Sequence, residues 1–154
     1  MMRSFLASAL IIGLGTIGIW QTTDGLRALT AEGARRLEVA THRPAVPKLS
    51  LGDMAGRSLA LGRPDDKLTL GEFIYTSYPT ICRAAGSAMA QLRDQLVAKG
   101  ISDQVRLLSI SFDPTQDDLE AMAGYGELHG ASGAIWTVAR PAVTDLDVML
   151  ESFG

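Results

Sequence analysis

The stretch "LTLGEFIYTSYPTIC", Leu68 to Cys82, decides the fold, because an apolar strand passes within it into an amphipathic helix. Residues Lys67 to Thr76 have the β-branched and aromatic content of a central strand. From Cys82 to Lys99, apolar side chains recur at helical spacing, and Gly100 supplies a stop. The only cysteine of the chain is therefore predicted to stand in the first turn of a helix that follows a central strand.

The segments on either side complete an α/β pattern. Before this stretch, two short alternating runs separated by the turn-prone "GDMAG" predict a hairpin. After it, a second buried strand, a helix capped by Thr115, a third strand and a last short helix follow in turn. Parallel strands joined by helices form right-handed crossovers, so the pattern predicts a hairpin followed by a βαβαβ unit. The predicted ranges are Lys48–Leu51 and Ser58–Leu61 for the hairpin, Val105–Phe112 and Ala134–Ala139 for the strands, and Thr115–Gly130 and Thr144–Ser152 for the helices.

The N-terminal stretch differs from the rest in having no charge from Ser4 to Trp20. A run of this length fits a membrane span or the apolar region of a signal peptide. No small-x-small cleavage site follows, which favours an uncleaved anchor over residues 1–21. Residues 22–46 are interpreted as a stalk with a short helix capped by Thr30, and residues 47–154 as the domain proper.

Composition and motif context exclude several classes of function. The formal net charge is −3, and the basic residues are interspersed with acids, so nucleic acid is not a predicted partner. One cysteine excludes an internal disulfide framework and a multi-thiolate zinc site, but permits an intermolecular bridge or a lone reactive thiol. "GLGTIG", Gly13 to Gly18, has the spacing of a dinucleotide-binding loop, but it lies inside the apolar run without a preceding strand, which argues against that function.

Cys82 is the residue in which chemistry is expected. A helix N-terminus and the adjacent Arg83 both favour the thiolate over the thiol. The alternatives are a metal ligand and a small apolar residue buried against the sheet. Other residues of suitable type are interpreted as structural: His42 and His129 as solvated or helix-capping, Met89 and Met122 as core, and Asp113 as a turn residue.

Several stretches together resemble the Sco/SenC family of membrane-anchored, thioredoxin-fold copper-handling proteins that serve cytochrome c oxidase assembly. The resemblance is carried by "LTLGEFIYTSYPTIC", "AQLRDQL", "VRLLSISFDPTQDDLEAMAGYGELHGA" and "WTV", with "PKLSLGDMAG" similar to the family's opening hairpin. It extends from about Pro47 to the C-terminus. It implies a thioredoxin-like domain, a single-pass anchor in the inner membrane, a domain facing the periplasm, and cytochrome c oxidase or another respiratory-complex subunit as partner.

The chain departs from the family in two places. Where the family has Cys-x-x-x-Cys, Tyr78 stands in the place of the first cysteine and Cys82 in that of the second, so Cys82 is the implied copper ligand. The family's ligand histidine, closing strands and final helix come after the point at which this sequence ends, so the domain is expected to be truncated. The leading hypothesis is a Sco-like assembly factor, or an accessory or vestigial subunit, that is not itself a catalyst. The alternative is a peroxidase-like or reductase-like enzyme with Cys82 as its nucleophile.

Overall fold

The structure is a computed structural model of the 154-residue chain. It describes residues 2–23, 25, 30–62, 67–77 and 81–153, without the side chains of residues 2–9 and 81–83. The chain divides into two compact units, residues 1–45 and residues 46–154. Each unit is described by itself below.

The first unit consists of two helices, α1 from Met2 to Thr22 and α2 from Ala31 to His42. The predicted cap of α2 is confirmed, because the Thr30 hydroxyl accepts a hydrogen bond of 3.0 Å from the backbone N–H of Gly33. The large apolar side chains of α1 from Leu10 onward are exposed. No helix in the described part of the chain is long and apolar enough to cross a membrane, so the anchor stays a prediction.

The second unit has the predicted hairpin followed by a βαβαβ unit. The five strands among its described residues form one sheet in the order β2-β1-β5-β4-β3, in which β3, β4 and β5 are parallel, and β1 is antiparallel to both β5 and β2. The elements are β1 (Ser50–Asp53), β2 (Ser58–Ala60), β3 (Leu68–Ile74), α3 (Ile81–Ala98), β4 (Val105–Ser111), α4 (Leu119–His129), β5 (Trp136–Pro141), a 3-10 turn (Val143–Asp145) and α5 (Leu146–Phe153).

The predicted start of the fourth helix is wrong. Helix α4 begins at Leu119, and its N-cap is Asp118, whose carboxylate accepts a hydrogen bond from the N–H of Ala121. Thr115 instead donates its hydroxyl proton to Asp113 in the preceding turn. Both residues are good helix caps, but the hydroxyl of Thr115 is engaged in its local hydrogen bond, so Asp118 caps the helix.

The sheet is covered by apolar side chains on both faces. On one face, helices α3 and α4 contribute Met89, Leu96 and Met122 to a core with Trp136 of β5. On the other face, Met149 of α5 packs in a cluster with residues of β1, β4 and β5, including Leu51, Leu108 and Ala139. Successive side chains of a strand point to opposite faces, which is why β4 contributes to both clusters.

One carboxylate lies among these apolar groups, on the face of the sheet that α3 and α4 cover. Glu72 of β3 accepts hydrogen bonds from the hydroxyls of Ser109, at 2.7 Å, and Tyr125, at 3.3 Å. The Ser109 hydroxyl in turn accepts a bond of 2.9 Å from the indole N–H of Trp136. Burial raises the pKa of the Glu72 carboxyl, and the two hydrogen bonds only partly offset this effect.

We expect Glu72→Gln to raise the melting temperature at pH 7. The raised pKa means that the folded chain favours the protonated carboxyl, so this group stabilises the fold fully below its unfolded pKa, and that contribution is lost as the pH rises through the folded pKa. Glutamine keeps an oxygen that can accept both hydrogen bonds and never carries charge. The advantage of the variant over wild type should therefore shrink as the pH falls toward about 4.

Thermal melts between pH 4 and pH 8 measure this difference, with Glu127→Gln, an exposed position on α4, as the control. A melting-temperature difference between wild type and Glu72→Gln that is the same at every pH would contradict this assignment.

Candidate functional site

The predicted thiol position lies where β3 leaves the sheet. The parallel strands β3 and β4 end at the same edge of the sheet, after Ile74 and Ser111. Cys82 is the second residue of α3, as the sequence predicts, although its side chain lies outside the described part of the chain. Tyr78, which stands in the place of the family's first loop cysteine, lies outside the described residues. The segment from Tyr75 to Cys82 is called the thiol turn below.

The charge environment at the start of α3 follows from the helix itself. The helix has 18 residues and no acidic residue in its first turn. Its unpaired N–H groups and its dipole place partial positive charge at the N-terminus. A group in this turn is therefore in a setting that favours an anion.

A buried carboxylate fixes the beginning of the thiol turn. Asp117 is 0 % exposed. It accepts hydrogen bonds from both the backbone N–H (3.3 Å) and the hydroxyl of Thr76, which follows β3. It also accepts one of 2.6 Å from the hydroxyl of Ser111, the last residue of β4. One side chain thus joins the carboxyl ends of two neighbouring strands.

The segment that carries Asp117 is itself held to β5. Arg140 donates from one guanidinium nitrogen to the carbonyl oxygens of Pro114, at 2.7 Å, and Asp117, at 3.0 Å. Because Arg140 lies on β5, the third parallel strand takes part in the same arrangement. The position of Thr76 is therefore linked to the whole parallel part of the sheet.

Asp113 holds the turn between β4 and α4, which confirms its predicted role. Its carboxylate accepts hydrogen bonds from the hydroxyl of Thr115, at 2.5 Å, and the N–H of Gln116, at 3.3 Å. Its own N–H donates to the hydroxyl of Ser111, at 3.0 Å. Asp113 therefore shapes the loop that presents Asp117.

Two aromatic rings stack where the thiol turn begins. Tyr75 and Phe112, the residues directly after β3 and β4, have ring centroids 5.6 Å apart and ring planes 24° apart. Phe112 is an exposed residue. The edge of the sheet next to the thiol turn therefore presents an aromatic surface to solvent.

His129 is the last residue of α4, as predicted, but the structure corrects the alternative that it is a solvated residue. His129 is buried, and its ring packs on Tyr125 with centroids 4.6 Å apart. It also lies against α3, since a Cβ on Gly86 would be 2.6 Å from two of its ring carbons. Only glycine at position 86 leaves room for this imidazole. His42, at the end of α2, is exposed as predicted.

The described donor groups lie apart from one another. Met89 and Met122 are buried in the core, as predicted. Among the described residues, no group of three or more His, Cys, Asp or Glu side chains is arranged to hold a metal ion. The thiol turn therefore contains one candidate copper ligand, Cys82, and the described residues do not place further metal ligands around it.

Sequence reasoning missed the residues that frame this turn. Asp117, Thr76 and Arg140 join three strands but were not among the predicted site residues. A signal was present in "FDPTQDD", where three acidic residues follow directly on a buried strand. An acidic residue at the carboxyl end of a parallel strand lies where sites form in such sheets.

Comparison with solved structures finds the same fold in several proteins. A SCO1/SenC family lipoprotein from Bacillus anthracis matches with a TM-score of 0.63 and 16% identity, over 71% of this chain and 64% of that one. Bradyrhizobium japonicum ScoI with copper bound matches with a TM-score of 0.58 and 20% identity, over 70% and 66%. BsSco, described as a Sco-family cytochrome c oxidase assembly protein with a disulfide switch, matches with a TM-score of 0.60 and 24% identity, over 71% and 64%.

These matches confirm the predicted thioredoxin-like fold of the Sco proteins. The chain spans a little under two thirds of the length of the structures named here. A comparison with curated protein sequences found no match. The model of the SCO1/SenC family matches residues 40–149, which is most of the chain. The chain therefore belongs to the SCO1/SenC family.

Proposed function

We propose that this chain is a membrane-anchored Sco-type protein that takes part in copper delivery or thiol handling during cytochrome c oxidase assembly, as an assembly factor or an accessory subunit and not as a catalyst. One observation carries the proposal: Cys82 stands in the first turn of α3, the helix that follows β3 in the chain, in a domain of the SCO1/SenC family. Relatives described as copper-bound or as oxidase assembly proteins support it.

The handling of copper by this chain is proposed to be weak. Cu(I) prefers soft thiolate and imidazole ligands. The family's ligand pair is reduced here to Cys82, with Tyr78 at the place of the other cysteine. A single thiolate supplies one strong bond, so copper is proposed as a transient cargo that a partner protein shares or removes.

The proposed partner is cytochrome c oxidase or another subunit of a respiratory complex. The description of BsSco supports this assignment. The exposed Phe112, stacked on Tyr75 beside the thiol turn, offers an apolar contact of the kind that is enriched at protein interfaces. A partner bound there would meet Cys82 at the same edge of the sheet.

The proposed location is the inner membrane, with α1 as a single-pass anchor and the domain facing the periplasm. The support is the uncharged run from Ser4 to Trp20, which lies within α1, and the exposure of the apolar side chains of α1 from Leu10 onward. Exposed apolar side chains on a helix are stable when lipid covers them.

A second candidate function is a single-thiol redox activity, peroxidase-like or reductase-like, with Cys82 as nucleophile. The position of Cys82 at a helix N-terminus supports it, because that position favours the thiolate. A redox enzyme of this kind needs an external thiol to resolve the oxidised cysteine.

Iodoacetamide alkylation of Cys82 measured against pH separates the two candidates. The redox candidate requires an exposed thiolate, and therefore rapid alkylation well below pH 8.5, the ordinary range of a cysteine pKa being about 8 to 9. The copper-handling proposal expects Cu(I) to protect the thiol from alkylation. Rapid alkylation that added Cu(I) leaves unchanged would favour the redox candidate.

Competition with a Cu(I) chelator tests the proposed ligand. We expect the wild-type chain to lose Cu(I) to the chelator at equimolar protein, because Cys82 supplies one thiolate. Tyr78→Cys places a second thiol four residues before Cys82, and should raise the Cu(I) affinity by at least about tenfold, or about 1.4 kcal/mol. Cys82→Ser should bind more weakly than wild type.

The same titration can contradict the assignment. If Cys82→Ser binds one equivalent of Cu(I) as tightly as wild type, the thiol turn is not the copper site. Tyr78→Ser is the matched control for Tyr78→Cys, since it changes the same position to a residue of similar size without a thiol.

Alkaline carbonate extraction tests the anchor. We expect the full chain to sediment with membranes and to remain there in carbonate, with Met1 or Met2 retained. Ile12→Arg, in the middle of the uncharged run, should shift the chain toward the soluble fraction, because a charged side chain at the centre of a span costs about 3 kcal/mol. Ile12→Leu is the control. Full extraction of the wild-type chain by carbonate would refute the anchor. So would an intact mass that corresponds to a mature chain starting near residue 21.

A further inference from the structure

The turn between β1 and β2, residues 54–57, begins with a methionine that differs from the others in its exposure. The structure describes the side chains of four methionines. Met89, Met122 and Met149 are 8%, 0% and 0% exposed, whereas Met54 is partly exposed. Oxidation of a thioether requires that the oxidant reaches the sulfur. Met54 is therefore the methionine of this group that a small oxidant in solution meets first. Residues 54–57 are called the hairpin turn below.

The sulfur of Met54 lies in a notch that a glycine of α4 leaves open. A Cβ added to Gly126 would lie 2.8 Å from Sδ of Met54, which is closer than real Cβ atoms come to another heavy atom. A Cβ added to Gly133, in the loop before β5, would lie 3.8 Å from the terminal methyl carbon of the same side chain. The end of the Met54 side chain thus lies against both α4 and the loop that leads to β5. It also packs against the buried core cluster that includes Tyr125 and Ala131.

The backbone donors next to this notch are already in use. The N–H groups of Gly130 and Ala131 both donate to the carbonyl oxygen of Gly126. The carbonyl oxygen of Ala131, which would lie 3.4 Å from a Cβ on Gly126, can only accept a hydrogen bond. A thioether is stable in this setting, whereas the oxygen of a sulfoxide is a strong acceptor that would lose its hydrogen bonds to water.

The backbone of the hairpin turn is held in place on either side of this side chain. The N–H of Met54 donates to the carbonyl oxygen of Val138 in β5, at 2.9 Å. The buried carboxylate of Asp53 accepts hydrogen bonds from the N–H groups of Ala55, at 2.9 Å, and Arg57, at 2.7 Å. It also accepts one of 2.9 Å from the guanidinium of Arg57. A larger, polar group on the sulfur therefore has to disturb the contact between the hairpin turn and α4.

We propose that Met54 is a modification site, at which a peroxide oxidises the sulfur and the resulting sulfoxide releases the hairpin turn from α4. In this step, a lone pair of Sδ attacks one oxygen of hydrogen peroxide, and the O–O bond breaks. The sulfur gains that oxygen and loses two electrons. The peroxide gains the two electrons, and its second oxygen leaves as water with both protons. Reductase enzymes return methionine sulfoxide to the thioether, so the change is reversible.

This site is separate from the thiol turn. Met54 follows β1, and in the sheet β5 and β4 lie between β1 and β3. The contacts that carry the proposal are those of the hairpin turn with α4, β5 and the loop between them. The proposal therefore does not depend on copper binding. It can be tested in a Cys82→Ser chain, in which peroxide has no thiol to oxidise.

Peptide mapping by mass spectrometry of the full, detergent-solubilised Cys82→Ser chain tests the site. During treatment with hydrogen peroxide, Met54 should gain one oxygen atom at least about tenfold faster than Met89, Met122 and Met149, because their sulfurs are buried. Equal rates at all four positions would overturn the assignment.

Hydrogen exchange and thermal melting of the same chain test the consequence of oxidation. The amides of the hairpin turn, among them the N–H of Met54 that bonds to Val138, should exchange at least about tenfold faster after oxidation. The amides of β4 should keep their rates. The melting temperature of the domain should fall by at least about 4 °C.

Met54→Leu is the matched control, because leucine has a similar volume and cannot form a sulfoxide. The same peroxide treatment should leave its exchange rates and its melting temperature unchanged. Met54→Gln places a polar group in the notch without oxidation, and should melt at a lower temperature than Met54→Leu. The proposal would be overturned by oxidation of Met54 that changes neither exchange nor melting, by an equal loss of stability in peroxide-treated Met54→Leu, or by equal melting temperatures of the two variants.

Discussion

The hydrogen bonds that the buried carboxylate of Asp117 accepts fix the arrangement of the carboxyl ends of β3 and β4. The carboxylate accepts hydrogen bonds from Thr76 and Ser111, and so fixes the carboxyl ends of two parallel strands to each other. A carboxylate that is fully buried without such donors costs several kcal/mol. The strand ends and the carboxylate therefore stabilise each other. The chain enters the thiol turn from a fixed position, six residues before Cys82.

The strands and helices in which apolar residues recur at regular spacing were predictable from the sequence. The strand from Leu68, the helix that contains Cys82 and the strand from Val105 are set by apolar spacing, and the structure has each within a residue or two of the predicted bounds. The start of α4 was not predictable in this way, because Thr115 and Asp118 are both good caps. The choice between them rests on a side-chain hydrogen bond from Thr115 to Asp113.

The site residues that were missed depend on contacts between distant segments. His129 has the sequence position of a helix-end residue, but it is buried because Gly86, on another helix, leaves space for its ring. Asp117 meets Thr76 across a separation of 41 residues. Neither contact leaves a periodic signal in the sequence, whereas the placement of Cys82 follows from local pattern alone. The local sequence pattern therefore predicted the position of Cys82, whereas only the structure showed the residues that hold the segment before it.

X-ray absorption at the copper K-edge, on the full chain loaded with one equivalent of Cu(I), tests the assignment of Cys82 as the copper ligand, because it reports which atoms bind the metal. We expect sulfur scattering from Cys82 in wild type, and its loss in Cys82→Ser. Sulfur scattering retained in Cys82→Ser would show that a methionine elsewhere in the chain holds the copper. The thiol turn would then not be the copper-handling part of this Sco-family domain.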